Sequence, residues 1–330
     1  MNQNDFLKKI EDIIPSNTSL VNELCDILDI SMDSAYRRIR GATQLTINEI
    51  STLCKHYRIS FDVLNDLNFD NVTFSFYNVE YSIDSFEIYL KNMLRDLNII
   101  QGSKAPFIHY ACEDIPIFYN YKYPNLRAFK IFYWMEATLN KNITTTSFTP
   151  EIIPPAVHDL AYQVFQAYLN IPSKEIWTET TYLSVIKQIE FFYDSGKFDS
   201  DQKVIDVLDE LIQLLTDIQI QAELGVKISG NSEESGQKAS YELYYSDVEI
   251  GNNCVLVDLG HTRSVYLGHL SFNTISTMNK QYAQLTADWL AVLLRKAQPI
   301  SKVSEKIRFK FFKKAIDRVI DLKNRIQNAG

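Results

Sequence analysis

Through the first 67 positions, apolar residues return every three or four places, the spacing of a helix with one buried face. Within 5–14, Phe6, Leu7, Ile10, Ile13 and Ile14 form one stripe, which Pro15-Ser16-Asn17 interrupts. Leu20, Val21, Leu24, Cys25 and Leu28 form the next. Ser31 can accept a hydrogen bond from a free backbone N–H and so restarts a helix, and Gly41 can take the left-handed conformation that ends it. Thr46-Ile47-Asn48-Glu49 has the form of a capping box, leading into Ile50, Leu53, Cys54 and Tyr57. Ser60 then caps a last short helix with Val63 and Leu64. The pattern predicts five short helices, with a boundary at Asn68-Phe69-Asp70-Asn71.

The periodicity changes after that boundary. Residues 72–79 alternate as a strand does, residues 82–101 return to helical spacing up to Gly102, and 106–112 form a short apolar run that reads as a second strand. Helices are predicted at 114–122, 125–140, 155–170, 176–193 and 200–223, punctuated by Pro124, Pro154-Pro155, Pro172 and Gly196. A polar loop at 228–238 leads to three strands at 241–248, 254–259 and 263–272, read as a meander through turns at Gly251-Asn252-Asn253 and Gly260-His261. Helices at 278–297 and 303–327 close the chain. The expected architecture is multidomain. An all-α region at 1–70 precedes a larger α+β domain at 71–330, with many helices on a mostly antiparallel sheet. This element order is similar to that of PAS-like sensor domains.

Composition narrows the function classes. With 46% hydrophobic and 22% charged residues the chain is globular. It carries 33 Lys and Arg against 41 Asp and Glu, a net charge of −8, which disfavours broad contact with nucleic acid or anionic membrane. Counted by region the picture differs. Residues 31–58 hold Arg37, Arg38, Arg40, Lys55 and Arg58 against Asp33 and Glu49 alone. Residues 301–330 have a net charge of +6, from nine basic and three acidic residues. Their helix reads as a solvated basic face over an apolar one, or as an auxiliary DNA contact. No run of about 18 apolar residues suggests a membrane span. Cys25, Cys54, Cys112 and Cys254 are scattered without a C-x-x-C, so neither zinc nor a disulfide framework is expected, and a reducing cytoplasm fits.

Leu24 to Gly41, with the turn Asp29-Ile30-Ser31 and the small Ala35, resembles the helix-turn-helix of phage-repressor-type (Xre-like) transcriptional regulators. The resemblance continues through Thr46, Glu49, Ile50, Leu53, Cys54, Tyr57, Ile59, Ser60 and Leu64, and covers about the first 66 residues. It implies a second helix that enters the major groove of duplex DNA. Met32, Asp33, Ser34 and Arg37 would lie near base edges, and Tyr36, Arg38 and Arg40 near phosphate or sugar, with Ser31 and Thr43 at the ends of the same surface. Arg38 stands where the family usually carries an aliphatic residue. The resemblance also implies a homodimer reading two half-sites.

Two further constellations stand out. Residues 107–134 are dense in aromatics, and Tyr110, Tyr119, Tyr121, Tyr133 and Trp134 are candidates for the wall of a pocket taking a small-molecule or peptide effector. The competing reading is an aromatic core. Asp258, His261 and His269 lie about a strand turn, where Asp-Leu-Gly-His is turn chemistry before it is catalysis. No catalytic residue, metal or cofactor is expected, and no enzyme activity. The expectation is a cytoplasmic, sequence-specific DNA-binding regulator. Its alternatives are a protein-interaction module of the antitoxin or phage-defence kind, or a peptide-sensing regulator with a helical repeat domain.

Overall fold

A computed structural model describes residues 3–14, 18–57, 72–76, 82–138, 147–229, 239–260, 262–270 and 273–328. The N-terminal region is helical: α1 (Gln3–Glu11), α2 (Leu20–Leu28), α3 (Met32–Ile39) and α4 (Ile47–Tyr57). The predicted stripes are its core, where Phe6, Leu7, Ile10, Leu24, Ala35 and Leu53 form one cluster. The fifth helix expected after Ser60, and the boundary at 68–71, lie outside the described residues.

The larger α+β domain begins with β1 (Ser75–Phe76), α5 (Ile83–Gln101), β2 (Phe107–Cys112), α6 (Ile117–Asn120), α7 (Pro124–Thr138) and α8 (Pro155–Leu169). It continues with β3 (Ser173–Trp177), α9 (Glu179–Asp194), α10 (Asp201–Leu224), β4 (Tyr241–Tyr245), β5 (Cys254–Asp258), β6 (Arg263–His269) and β7 (Asn273–Thr277). It ends with α11 (Lys280–Lys296), β8 (Gln298–Pro299) and α12 (Glu305–Gln327). The eight strands make one sheet in the order β1-β7-β6-β5-β2-β3-β4-β8. Five of its pairings are antiparallel, while β2, β3 and β4 run parallel.

The sheet is buried on both faces, which its alternation reveals. Ile108, Tyr110 and Cys112 of β2 join a large core with the helices α5, α7, α8, α9, α10 and α12. Ala111 points the other way, into a smaller cluster with Ile176, Leu256 and Val265 that α11 covers through Ala283, Leu290 and Leu293.

Several expectations are corrected. The segment 241–272 is not a meander: β4 pairs with β3 and β8, whereas β5 pairs with β2 and β6. Gly251-Asn252-Asn253 is therefore a crossing loop, docked where the Asn253 side-chain oxygen accepts from the Glu113 and Asp114 amides at 3.0 and 3.3 Å. The expected strand 263–272 ends at His269 as β6, Leu270 takes φ +46°, and a further strand that was not expected, β7, pairs antiparallel with β6. Residues 176 and 177, read as helix, belong to β3, and the helix begins only after a Thr178 cap. The helix at 114–122 shrinks to 117–120, because Pro116 sits at its start. The parallel run sets the sheet apart from the PAS-like order, and the sheet as a whole removes the helical-repeat alternative.

A fully buried carboxylate explains why β3 escaped detection. Glu175 stands at the centre of the strand with no exposed surface. Its Oε1 accepts from the Tyr119 and Tyr168 hydroxyls at 2.7 Å each. Its Oε2 accepts from Trp177 Nε1 at 3.0 Å and the Tyr241 hydroxyl at 3.1 Å. Gln221 donates to the Tyr119 hydroxyl at 3.0 Å, extending the network to α10. Lys227 lies beside it, donating to the Tyr168 carbonyl at 2.9 Å with its ammonium 3.3 Å from the Tyr168 ring centroid. Burial pushes the Lys227 ammonium down to about 7, against the pull of Glu175.

Two outcomes follow. Glu175→Leu leaves the Tyr119, Tyr168 and Tyr241 hydroxyls and the Trp177 N–H without their acceptor, and chemical denaturation is expected to show a loss of about 3–5 kcal/mol. Lys227 binds its proton more weakly folded than unfolded, so between about pH 7 and pH 10 the unfolded chain holds more protons and stability rises with pH. Below that window both states are protonated and the slope vanishes. Subtracting unfolding free energies of Lys227→Met from those of wild type at pH values from just below this window up through it should isolate this rise.

Candidate nucleic-acid interface and an internal cavity

The turn between α2 and α3 is built by three residues in sequence. Asp29 adopts the left-handed conformation at φ +52° and its N–H closes on the Cys25 carbonyl. Ile30 packs against the core of the helical region. Ser31 caps α3, its hydroxyl accepting from the Ser34 amide at 3.3 Å. Ala35 is wholly buried, so α3 approaches closely on that side and presents its other side outward. Gly41, at φ +73°, lets the chain leave α3.

The outward side is well populated. Met32 is 57% exposed and Tyr36 49%. Ser31, Asp33, Arg37 and Arg40 are exposed beside them, and Ser34 and Thr43 are partly so. Asp33 and Arg37 pair across one turn at 2.9 Å, both well solvated. Eight of the nine sequence-derived candidates thus share one surface around α3.

Arg38 is the ninth and it turns inward. Its Nη2 lies 2.6 Å from Glu49 Oε1, Nε donates to the same oxygen at 3.1 Å, and Nη1 donates to the Ser34 carbonyl at 3.2 Å. Only 15% of its side chain is exposed. The long stem fills the space an aliphatic residue would take, and the guanidinium ties α3 to α4. Glu49 is also the capping-box acid, accepting from the Thr46 amide at 2.8 Å through its other oxygen. Partial burial pushes its carboxyl up, but the Thr46 and Arg38 hydrogen bonds outweigh this and hold it below the ordinary range.

Two supports had no sequence signal beyond polarity. Gln3, at the start of α1, donates to the Arg38 and Thr43 carbonyls at 2.7 and 2.8 Å and accepts from the Leu45 amide at 2.6 Å. One side-chain amide therefore clamps the loop after α3. The Tyr57 hydroxyl donates to Glu23 at 2.6 Å and ties α4 to α2.

The basic C-terminal helix is engaged elsewhere. On α12, Lys314 pairs with Glu179, Lys323 with Asp209, and Arg325 with Glu190 and Asp194, all on α9 or α10. Arg308 is buried and donates to the Ile300 and Val303 carbonyls. Much of the local positive charge is thus spent within the domain.

Four of the five aromatic candidates converge. Tyr110, Tyr121, Tyr133 and Trp134 line a cavity of about 460 Å³. Tyr119 does not line it, because its hydroxyl is committed to Glu175. Asp258 accepts from the Gly260 amide and from Arg263, both at 2.8 Å, which is turn chemistry. His269 instead lines the cavity, and His261 lies outside the described residues. Among the described residues, no three His, Cys, Asp or Glu side chains are grouped to hold a metal, and no helix is long and apolar enough to cross a membrane.

The two neighbouring arginines should separate cleanly in urea unfolding. Arg38→Ala is expected to cost about 1.5–3 kcal/mol, since it removes charged hydrogen bonds that are shielded from water. Arg37→Ala should cost less than about 0.5 kcal/mol, because its partner pair is solvated.

No curated protein and no solved structure matches this chain. Residues 13–73, which contain α2, the turn, α3 and α4, match the BetR domain, a helix-turn-helix-like DNA-binding domain family, and this points to a DNA-binding regulatory role.

Proposed function

We propose that the protein is a sequence-specific transcriptional regulator of the Xre-like kind, acting in the cytoplasm as a homodimer, with an α+β domain that senses a signal, dimerises, or does both. The observation that carries this reading is α3. It is capped, held close to α2 by a buried alanine, and exposed on the side that bears Met32, Asp33, Tyr36 and Arg37. A helix so mounted fits a major groove.

In this reading Arg37 leaves its solvated pairing with Asp33 and bonds the O6 and N7 of a guanine, while Asp33 accepts from a cytosine amino group. Met32 and Ser34 complete the base contacts. Tyr36, Arg40 and Thr43 meet phosphate or sugar and set the register. Arg38 acts through Glu49 as a positioning residue, and fixes the roll of α3. One such module touches few base pairs, and the first 70 residues carry a net charge of −4, so a monomer would hold DNA weakly. Two copies on half-sites one helical turn apart multiply the affinity, and a change in the spacing of the two heads would regulate it.

Footprinting on the DNA upstream of its own gene, with excess competitor duplex, tests the proposal. A protected, two-fold-related site is expected. Arg37→Ala should lose about 10–100-fold in discrimination at one position of each half-site with an unchanged unfolding midpoint, whereas Arg40→Ala should weaken all sequences alike. A chain with no preferred duplex that instead co-purifies with a stoichiometric protein would make it an interaction module.

A further inference from the structure

The 460 Å³ cavity sits at the carboxyl end of β2. There the parallel run β2-β3-β4 meets the antiparallel run β5-β6-β7. Such changes of direction leave a crevice beyond the strand ends, a common place for ligands in sheets with helical crossovers. The volume falls within the ~300–1,000 Å³ of small-molecule sites.

Its walls divide chemically. One side is aromatic, from Tyr110, Tyr121, Tyr133 and Trp134. The other is polar and centres on Lys130, whose side chain has no exposed surface. The ammonium donates to Asp114 Oδ2 and to Gln188 Oε1, each at 2.8 Å. Gln188 also donates to Asp114 Oδ2, at 3.3 Å. The second carboxylate oxygen, Asp114 Oδ1, is buried without a hydrogen-bond partner among the described residues. Asn273 lines the same cavity at 7% exposure, and its Oδ1 is likewise unpartnered among them. Desolvated acceptors left in this state are costly, and both call for an N–H or O–H donor.

Charge selects among donors. Among the described residues the ionisable groups of the lining, tyrosines aside, are Glu113, Asp114, Lys130 and His269, so their balance is negative when the histidine is neutral. Burial and the neighbouring Asp114 also push the Glu113 carboxyl up, a strain that a cation relieves. Anions meet repulsion here, whereas a cation gains from the aromatic ring faces. We propose that this cavity binds a small organic amine as its ammonium ion, with N–H groups donated to Asp114 or Asn273 and its carbon frame against the four aromatic rings. Only the further step, that occupancy alters DNA binding, rests on the function proposed above.

Thermal unfolding of the full chain tests the site. The probes are tyramine, putrescine and spermidine, with benzoate and glucose as anionic and neutral counterparts. At least one amine should raise Tm by about 5 °C at ~100-fold over its Kd, with benzoate and glucose inert. Asn273→Ala removes an unpaired acceptor, so its ligand-free Tm should hold or rise while amine affinity falls about 10-fold. A merely structural asparagine would instead lower Tm and leave affinity alone. Asp114→Asn should also weaken the amine, and Asn273→Ala decides the matter if that variant does not fold. The proposal is overturned if no amine raises Tm, if benzoate or glucose matches the amines, or if Asn273→Ala binds them as wild type does. Repeating the footprint with bound amine judges the link to DNA separately. An unchanged footprint removes that link and leaves the site, and a missing footprint in every state counts against the regulator alone.

Discussion

A carboxylate with no water around it has to be given donors by the protein, and at Glu175 this requirement organises the larger domain. Its partners come from α6, α8, β3 and β4, with α10 joined through Gln221. Each hydroxyl must arrive within a few tenths of an ångström, which fixes how far the helices stand from the sheet. Apolar packing around Phe129, Phe148 and Phe192 supplies bulk attraction without direction. The carboxylate supplies direction, and so selects one arrangement from the many that would bury the same rings.

The helical region uses the same device in a smaller form. A core of this size cannot by its bulk hold a short helix rigidly. Arg38, Glu49, Gln3 and the Tyr57–Glu23 bond add directed contacts around it. Polar residues that look like surface in the sequence are thus the frame on which the exposed face of α3 is mounted. The acidic balance of the chain fits this economy: Lys314, Lys323 and Arg325 of α12 are paired with carboxylates of α9 and α10, while Arg37 and Arg40 of the α3 segment stay exposed.

Local signals were read correctly where the physics is local. Caps, breakers and stripes located α1 to α4, and the Ser31 and Thr46 caps form the bonds their residue types imply. Long helices such as α5, α10 and α12 were legible for the same reason. Pairing was not. Whether a strand joins its neighbour in sequence depends on which edge is already taken, and β4 finds β3 and β8 there. β3 was hidden because Lys174 and Glu175 break the apolar run, although Glu175 lies deeper than most leucines. Arg38 misled in the opposite sense: three arginines within four residues look equivalent, yet only packing shows that one faces inward. The aromatic cluster held both readings at once, since four of the five candidates line the cavity and Tyr119 serves the core.

The sheet's borders carry a consequence for how copies of this chain can meet. Both outermost strands, β1 and β8, are two residues long, and β8 includes Pro299. Along β4 the remaining polar groups are already used: Tyr241 donates to the Gly225 carbonyl, Leu243 donates to the Ser301 hydroxyl, and Ile300 donates to the Leu243 carbonyl. Among the described residues, border strands this short give a second chain little ladder to extend. Among the described residues strand addition is therefore disfavoured, and the proposed pairing of two copies would rest on side-chain surfaces of helices and loops. Contacts of that kind can slide or tilt without breaking a backbone ladder, which is what the proposed regulation through the spacing of two copies would need.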